Sequence, residues 1–138
     1  MRRDASLYML AANAVSHAVK VHPLVAQRVL EASMASLCVS AVTAGELWFG
    51  LARRPENRRL GVLVTEFLRR VDVLPWDRSA AERYGVLRSE MERAGRPLGS
   101  LDLLIAAHAL DVGAVLVTSD RSMTRLSGLQ VEDWTVTG

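Results

Sequence analysis

Three acidic residues, far apart along the chain, are its main candidates for chemistry. Glu46 lies in the segment VTAGELWFG, Asp102 lies in GSLDLLIAAHAL, and Asp120 directly follows the apolar run AVLVTS. Carboxylates that meet at one place repel each other unless a divalent cation neutralises them. Oxygen ligands select Mg²⁺ or Mn²⁺, and such an ion supports hydrolysis of a phosphodiester by an activated water. Spacing along the chain leaves open whether the acids meet.

Two of these acids have an equally simple structural interpretation. Asp120 stands where a turn or helix-capping aspartate would stand before RSMTRL. Asp102 falls in the first turn of a predicted helix that Ser100 is expected to cap, and the helix dipole favours an acid there. Because LLIAAHAL is apolar nearly all round, this helix is predicted to be buried and to carry Asp102 inward.

Glu46 is the most informative of the three acids. It lies four residues after Val42 and three before Phe49, so helical spacing places it on an apolar face. Desolvating a glutamate costs several kcal/mol, so a buried one needs a partner. An ion pair with Arg53 or Arg54 and a metal ion shared with other carboxylates are both open at this point.

The acids must be positioned by an alternation of strands and helices. Short apolar runs alternate with longer helical patterns, which predicts an open α/β sheet with helices on both faces. The continuous apolar runs at Leu7 to Leu10 and Ala114 to Thr118 are typical of parallel strands buried on both faces. In such sheets, ligands bind at the carboxyl ends of the strands. The predicted strands are 7–10, 37–40, 71–74, 114–118 and a weaker one at 129–133, and the predicted helices are 13–20, 24–33, 42–53, 56–70, 78–94 and 101–111.

The composition fits a single globular domain over residues 1–138, with 50% apolar and 23% charged residues. Aromatic residues are only 5% of the chain, which argues against an aromatic stacking platform for single-stranded nucleic acid. Lys20 is the only lysine. Arginine therefore carries almost all the positive charge, which favours a phosphate or carboxylate partner but also fits a solvated surface.

Three observations bear on the cellular compartment. The single cysteine, Cys38, excludes an internal disulfide, fits a cytoplasmic protein and is predicted to be a buried structural thiol. MRRD followed by an apolar stretch imitates an export signal, but Asp4, Asn13 and His17 interrupt that pattern. No apolar run approaches the roughly 20 residues that a membrane-spanning helix needs. We therefore expect a soluble cytoplasmic protein.

Five blocks spread over the whole chain carry a family resemblance: YML..N.VS, AVTAGEL..GLARRPEN, VDVLPWD..AAERYG.LR.EMERAGRPLGSLDLLIAAHAL, GAVLVTSDRSM and a terminal VEDW. In this order they resemble the PIN-domain ribonucleases of the VapC toxin type. The resemblance implies a three-layer α/β/α sandwich with a central parallel sheet of four to five strands. It also implies a Mg²⁺ or Mn²⁺ site, cleavage of RNA, a homodimer, and neutralisation by a small cognate antitoxin. It places Glu46, Asp102 and Asp120 at the metal-site positions.

The chain departs from this family at its first acid. The family has Asp-Thr-Asn after the first strand, and here the residues are Ala11, Ala12 and Asn13. Position 11 is thus the place of a lost ligand, in a chain that is either engineered to be inactive or naturally inactive. We expect weakened metal binding, an activity at least about 10–100-fold below that of an Ala11→Asp, Ala12→Thr revertant, and higher stability without metal than that revertant has. Ser119 is a milder departure, since asparagine often stands there; its hydroxyl and Asn13 are expected to support the site.

Other polar residues are open to two interpretations. Four arginines surround a turn in ARRPENRR, and they form either a solvated surface or a rim that steers RNA phosphates: Arg53, Arg54, Arg58 and Arg59. His108 is predicted to be a satisfied core or interface histidine.

Two other classes of protein compete with the nuclease hypothesis. A non-catalytic module with the same fold that binds antitoxin or RNA remains open. A phosphorylated receiver domain has a similar order of elements, but it needs an acid pair after the first strand and a lysine after the last, and the chain has neither.

Overall fold

The computed structural model describes residues 6–96 and 98–136, and in them a five-stranded sheet is flanked by six helices. All four strand pairings are parallel, and the strand order is β3-β2-β1-β4-β5. The three-layer α/β/α sandwich with a central parallel sheet is therefore confirmed. The strands are β1 (Tyr8–Leu10), β2 (Leu37–Ser40), β3 (Asp72–Leu74), β4 (Val115–Val117) and β5 (Val131–Glu132), and the helices are α1 (Ala12–Val19), α2 (Pro23–Glu31), α3 (Ala41–Ala52), α4 (Arg58–Arg70), α5 (Arg78–Arg93) and α6 (Ser100–Val112).

The central strands are apolar throughout because both of their faces are covered. Successive side chains of a strand point to opposite faces. Met9 of β1, with Leu116 of β4, packs in a core with α5 and α6, whereas Leu10 and Val117 pack in the core under α1 to α4. The continuous apolar runs that predicted buried parallel strands therefore fill two cores at once.

Several helix ends differ from the predicted ones because local capping decides them. Asn57 caps α4 by accepting the Leu60 N–H at 3.2 Å, so that helix begins at Arg58 and not at Glu56. The N-cap of α6 is Gly99, which has no side chain to form a capping bond. Ser100 is the first residue inside the helix, so the prediction that Ser100 caps α6 was wrong. The stretch that imitates an export signal begins at Met1, and its first five residues lie outside the described part of the chain.

Strand order places one point of the sheet at a topological switch. From β1 the chain moves to β2 and β3 on one side, and later crosses to β4 and β5 on the other. The connections therefore leave the carboxyl ends of β1 and β4 in opposite directions, which opens a crevice of the kind where α/β proteins bind ligands. No helix among residues 6–96 and 98–136 has the length and apolar character to cross a membrane.

Candidate active site

A cavity of about 110 Å³ lies at this switch point. It is bounded by the start of α1, the side of α3, the first turns of α6, and the segment that follows β4. All three predicted acids line it, together with Ala11. The lining residues are Ala11, Ala12, Asn13, Glu46, Asp102, Ile105, Leu116, Thr118, Asp120 and Met123.

The acids in this cavity affect one another electrostatically. The pKa of Glu46 is raised from its ordinary value, first by burial and second by the charge of Asp102. The pKa of Asp102 is raised as well, first by burial and second by the charge of Asp120. Both carboxylates thus lose solvation and meet a like charge, and a cation in the cavity would relieve both penalties.

The fit of these residues to a divalent ion can be tested on their arrangement. Within the described ranges, no three residues of the types His, Cys, Asp and Glu are grouped tightly enough to hold one ion jointly. A cradle of three direct carboxylate ligands is therefore not formed. Mg²⁺ keeps several waters and binds through one or two carboxylates, and the cavity offers carboxylate oxygens together with space for water. The residues present fit a hydrated hard cation.

Ala11 joins the end of β1 to the start of α1, and it lines the acidic cavity. Its backbone N–H donates to the carbonyl of Val117 at 2.9 Å, which ties the ends of β1 and β4 together. It is also the N-cap of α1, in an extended conformation, and it makes no side-chain cap bond. Only 9% of its surface is exposed. A longer, polar side chain at this position would cap α1, and it would stand at the wall of the cavity that the acids line.

Asn13 connects α1 to the segment after β4. Its Nδ2 donates to the Thr118 hydroxyl at 2.9 Å, and its Oδ1 accepts the backbone N–H of Ser119 at 3.2 Å. The contact with position 119 thus goes through the backbone; among the described contacts, the Ser119 hydroxyl makes none to the acids.

Thr118 is the site residue that sequence analysis missed. It is 4% exposed, and its hydroxyl oxygen accepts from Asn13 and from the backbone N–H of Asp120 at 3.1 Å. Its hydroxyl therefore orients the turn that carries Asp120. The available signal was a threonine at the end of an otherwise apolar strand, where a buried hydroxyl requires hydrogen-bond partners.

Asp120 caps the turn that follows it, as its position in the sequence allowed, and it also lines the cavity. Its Oδ1 accepts the N–H of Ser122 at 3.0 Å and the Ser122 hydroxyl at 2.7 Å, which caps the short 3-10 turn Arg121–Arg125. Both bonds use one carboxylate oxygen. The capping bonds fix the direction of this side chain before any ligand binds.

Glu46 also borders a second cavity, of about 230 Å³, between α3 and α4. Arg53 and Arg54 line it with Glu46, but neither forms an ion pair with Glu46 in the described chain. Arg58 lines a separate hollow with Gly61 and Glu66, and Arg59 lines neither cavity. The structure therefore brings two of the four arginines to a cavity that one acid, Glu46, also lines.

A buried pair behind the site links two helices that carry acids. The Ser40 hydroxyl lies 2.8 Å from Nδ1 of His108, and it accepts the Val42 N–H at 3.1 Å as the N-cap of α3. Ser40 and His108 are 0% and 1% exposed. Burial lowers the pKa of His108, although Asp77 and Asp111 act in the opposite direction. His108 is thus the satisfied core histidine that was predicted.

Cys38 is a structural residue. It is buried in β2, and burial raises the pKa of its thiol to about 12, with a smaller contribution from Asp72. Such a thiol is protonated at neutral pH and is a poor nucleophile.

Comparison with known proteins assigns the family. Residues 8–129 match the PIN domain model. The tRNA(fMet)-specific endonuclease VapC of Shigella flexneri is 34% identical over 92% of this chain and 97% of its own, and Ribonuclease VapC1 of Haemophilus influenzae (strain R2866) is 35% identical over 94% and 98%. The DNA-bound VapBC structure from Salmonella typhimurium has a TM-score of 0.86 at 32% identity and covers 94% of this chain and 98% of its own. The chain belongs to the PIN-domain family, and within it to the VapC type.

Proposed function

We propose that this chain is a metal-dependent ribonuclease toxin of a toxin-antitoxin pair, impaired by the alanine at position 11. The observation that carries the proposal is the convergence of Glu46, Asp102 and Asp120 from separate segments on one cavity beside Ala11. Two relatives that match over nearly their whole length, one named a tRNA(fMet)-specific endonuclease and one named a ribonuclease, support RNA as the substrate.

One or two of the acids Glu46, Asp102 and Asp120 would hold Mg²⁺ or Mn²⁺ through a carboxylate oxygen, and the remaining acid would contact the waters that the ion retains. When bound, the ion supplies charge neutralisation and an activated water for attack on phosphorus. Thr118 and Asn13 keep the Asp120 turn against α1. Ala11 contributes no oxygen, so the site keeps its architecture and loses a ligand.

The partners are proposed on the same basis. The VapBC structures that resemble this chain contain a toxin with its antitoxin, which supports a small cognate antitoxin here. A homodimer is supported by exposed apolar side chains on α3, where Trp48 is 46% and Phe49 63% exposed. A cytoplasmic location fits the buried, protonated Cys38 thiol.

The activity test restores the family's residues. Ala11→Asp combined with Ala12→Thr should cleave single-stranded RNA at least about 10–100-fold faster than the parent chain with Mn²⁺, because even loss of outer support at a metal site costs that much. Equal rates would refute our placement of the site.

Calorimetry tests the metal site without relying on activity. Mn²⁺ binding to the parent should be abolished in Asp120→Asn, since the amide is a weaker ligand without charge. Asp133→Asn is a matched control, because Asp133 Oδ1 likewise accepts the N–H and hydroxyl of a residue two positions later, Thr135, but lies outside the acidic cavity.

The observation that favours a second candidate, a non-catalytic module, is Ala11 itself. No Mn²⁺ binding by the parent and no activity in the restored chain would support that candidate.

A further inference from the structure

The second cavity beside Glu46 has a composition unlike that of the acidic cavity. Its walls are apolar and come from two helices, Leu47 and Leu51 on α3 and Leu60 and Val64 on α4. Its remaining side chains are polar, and they include two arginines and Glu46. The cavity of about 230 Å³ thus combines apolar walls with a charged border of two arginines and Glu46, the acid that it shares with the acidic cavity.

Gly50 keeps one wall of this cavity open. It lies inside α3, and a Cβ built at this position meets no atom within 4 Å. Glycine in a helix interior costs about 1 kcal/mol relative to alanine. Neither a left-handed backbone nor a close neighbour requires a glycine here. Its effect on the structure is to leave space over the apolar wall.

The two arginines are available to bind an anion. Arg53 and Arg54 are exposed at the end of α3, and neither pairs with an acid among residues 6–96 and 98–136. The Arg53 guanidinium lies 5.5 Å from the centroid of the Phe49 ring, which holds it at the border of the cavity. A planar guanidinium matches the geometry of phosphate.

We propose that this cavity holds one nucleoside of single-stranded RNA, next to the phosphate that lies over the acids. This inference rests on the proposed function and adds a subsite to it. Because Glu46 borders both cavities, consecutive nucleotides of one strand can occupy them without a gap. The base packs on Leu47, Leu51 and Val64, and Arg53 and Arg54 bind the backbone phosphates. An unpaired base is required, since a base within a duplex cannot enter the cavity.

Filling the cavity from within α3 tests the proposal. Gly50→Leu places a side chain in the open space, whereas Gly45→Leu adds the same side chain to the same helix outside the cavity, where a Cβ also meets nothing within 4 Å. Both changes improve helix propensity, so both variants should fold. Binding of a short fluorescein-labelled single-stranded RNA is measured by anisotropy in EDTA. We expect Gly50→Leu to bind at least about 10-fold more weakly, which is about 1.4 kcal/mol, and Gly45→Leu to stay within about 2-fold of the parent.

The arginines are tested by the salt dependence of the same binding. Loss of one phosphate contact lowers the slope of log K against log salt by about 0.7 for single strands. Arg53→Gln and Arg54→Gln should each show this decrease, and Arg58→Gln, which lines a different hollow, should not. Gly50→Leu should weaken binding without changing the slope.

Each outcome has a separate meaning. If Gly50→Leu binds RNA as tightly as the parent, the subsite is wrong and the proposed function is unaffected. If Gly50→Leu keeps its RNA affinity but loses binding to the small protein encoded beside it, the cavity serves a protein partner and the proposal is overturned. If the parent chain binds no RNA either in EDTA or in Mn²⁺, the proposed function and the subsite both fail.

Discussion

Position 11 allows the effect of a charge to be separated from the effect of a helix cap. Ala11 is the N-cap of α1 without a side-chain bond. Asparagine and aspartate cap equally well, and replacing alanine by either adds about 1 kcal/mol of stability. Over 138 residues the unfolding entropy is about 0.29 kcal/mol per kelvin, so Ala11→Asn should raise Tm by about 3–4 °C.

Ala11→Asp adds the same cap together with a charge. Ala11 lines the same cavity of about 110 Å³ as the three acids, so a new carboxylate at position 11 meets like charges. At an effective dielectric constant of about 20, two such charges about 8 Å apart repel by about 2 kcal/mol. Without metal, Ala11→Asp should therefore melt about 7 °C below Ala11→Asn and a few degrees below the parent.

Mn²⁺ should reverse this order. The aspartate supplies another ligand, so the Asp variant should bind the ion more tightly, and saturation to about 100 times Kd stabilises a protein by about 2.7 kcal/mol. Thermal melts followed by circular dichroism, in EDTA and in Mn²⁺, measure all three chains. Equal Tm values for the Asn and Asp variants in both buffers would show that position 11 does not sense the acids, and the assignment of a lost ligand would be wrong.

Two further predictions concern buried hydrogen bonds. Because the pKa of His108 is lowered from 6.5 in the folded state, the unfolded chain takes up a proton more readily as the pH falls, and the free energy of unfolding should decrease as the pH drops through 6.5. Urea titrations should show this loss in the parent and not in His108→Gln, and parallel pH profiles would contradict it. Thr118→Val should lower the free energy of unfolding by about 1–3 kcal/mol, because the N–H groups of Asn13 and Asp120 lose their acceptor. It should also weaken Mn²⁺ binding in calorimetry, whereas Thr124→Val, at an exposed hydroxyl, should change neither value.

The strands and the burial of α6 could be predicted because they depend on local patterns. An unbroken apolar run such as Leu7 to Leu10 has few alternatives to a strand covered on both faces. The apolar surroundings of Asp102 likewise required a buried helix, and the helix carries that acid to the cavity. Strand β5 was the weakest prediction, and only Val131 and Glu132 form it.

The missed features depend on contacts between distant segments. The role of Thr118 follows from its contact with Asn13, 105 residues away, which no local pattern contains. Phe49 was placed on the buried side of α3 by spacing, yet it is 63% exposed, because Leu47 and Leu51 are the residues at that end of the helix that pack against the core. The four arginines are neighbours in sequence, but the turn before α4 directs Arg58 away from Glu46.

The order of the segments around the switch point also governs when the acidic cavity can exist. Strand β4 lies between β1 and β5, yet the ribosome makes it after every helix from α1 to α6. A growing polypeptide that ends before Val115 contains Glu46 and Asp102 but lacks the strand on which Ala11 closes and the turn that presents Asp120. A completed acidic cavity can therefore form only after translation of β4 and of the turn that follows it.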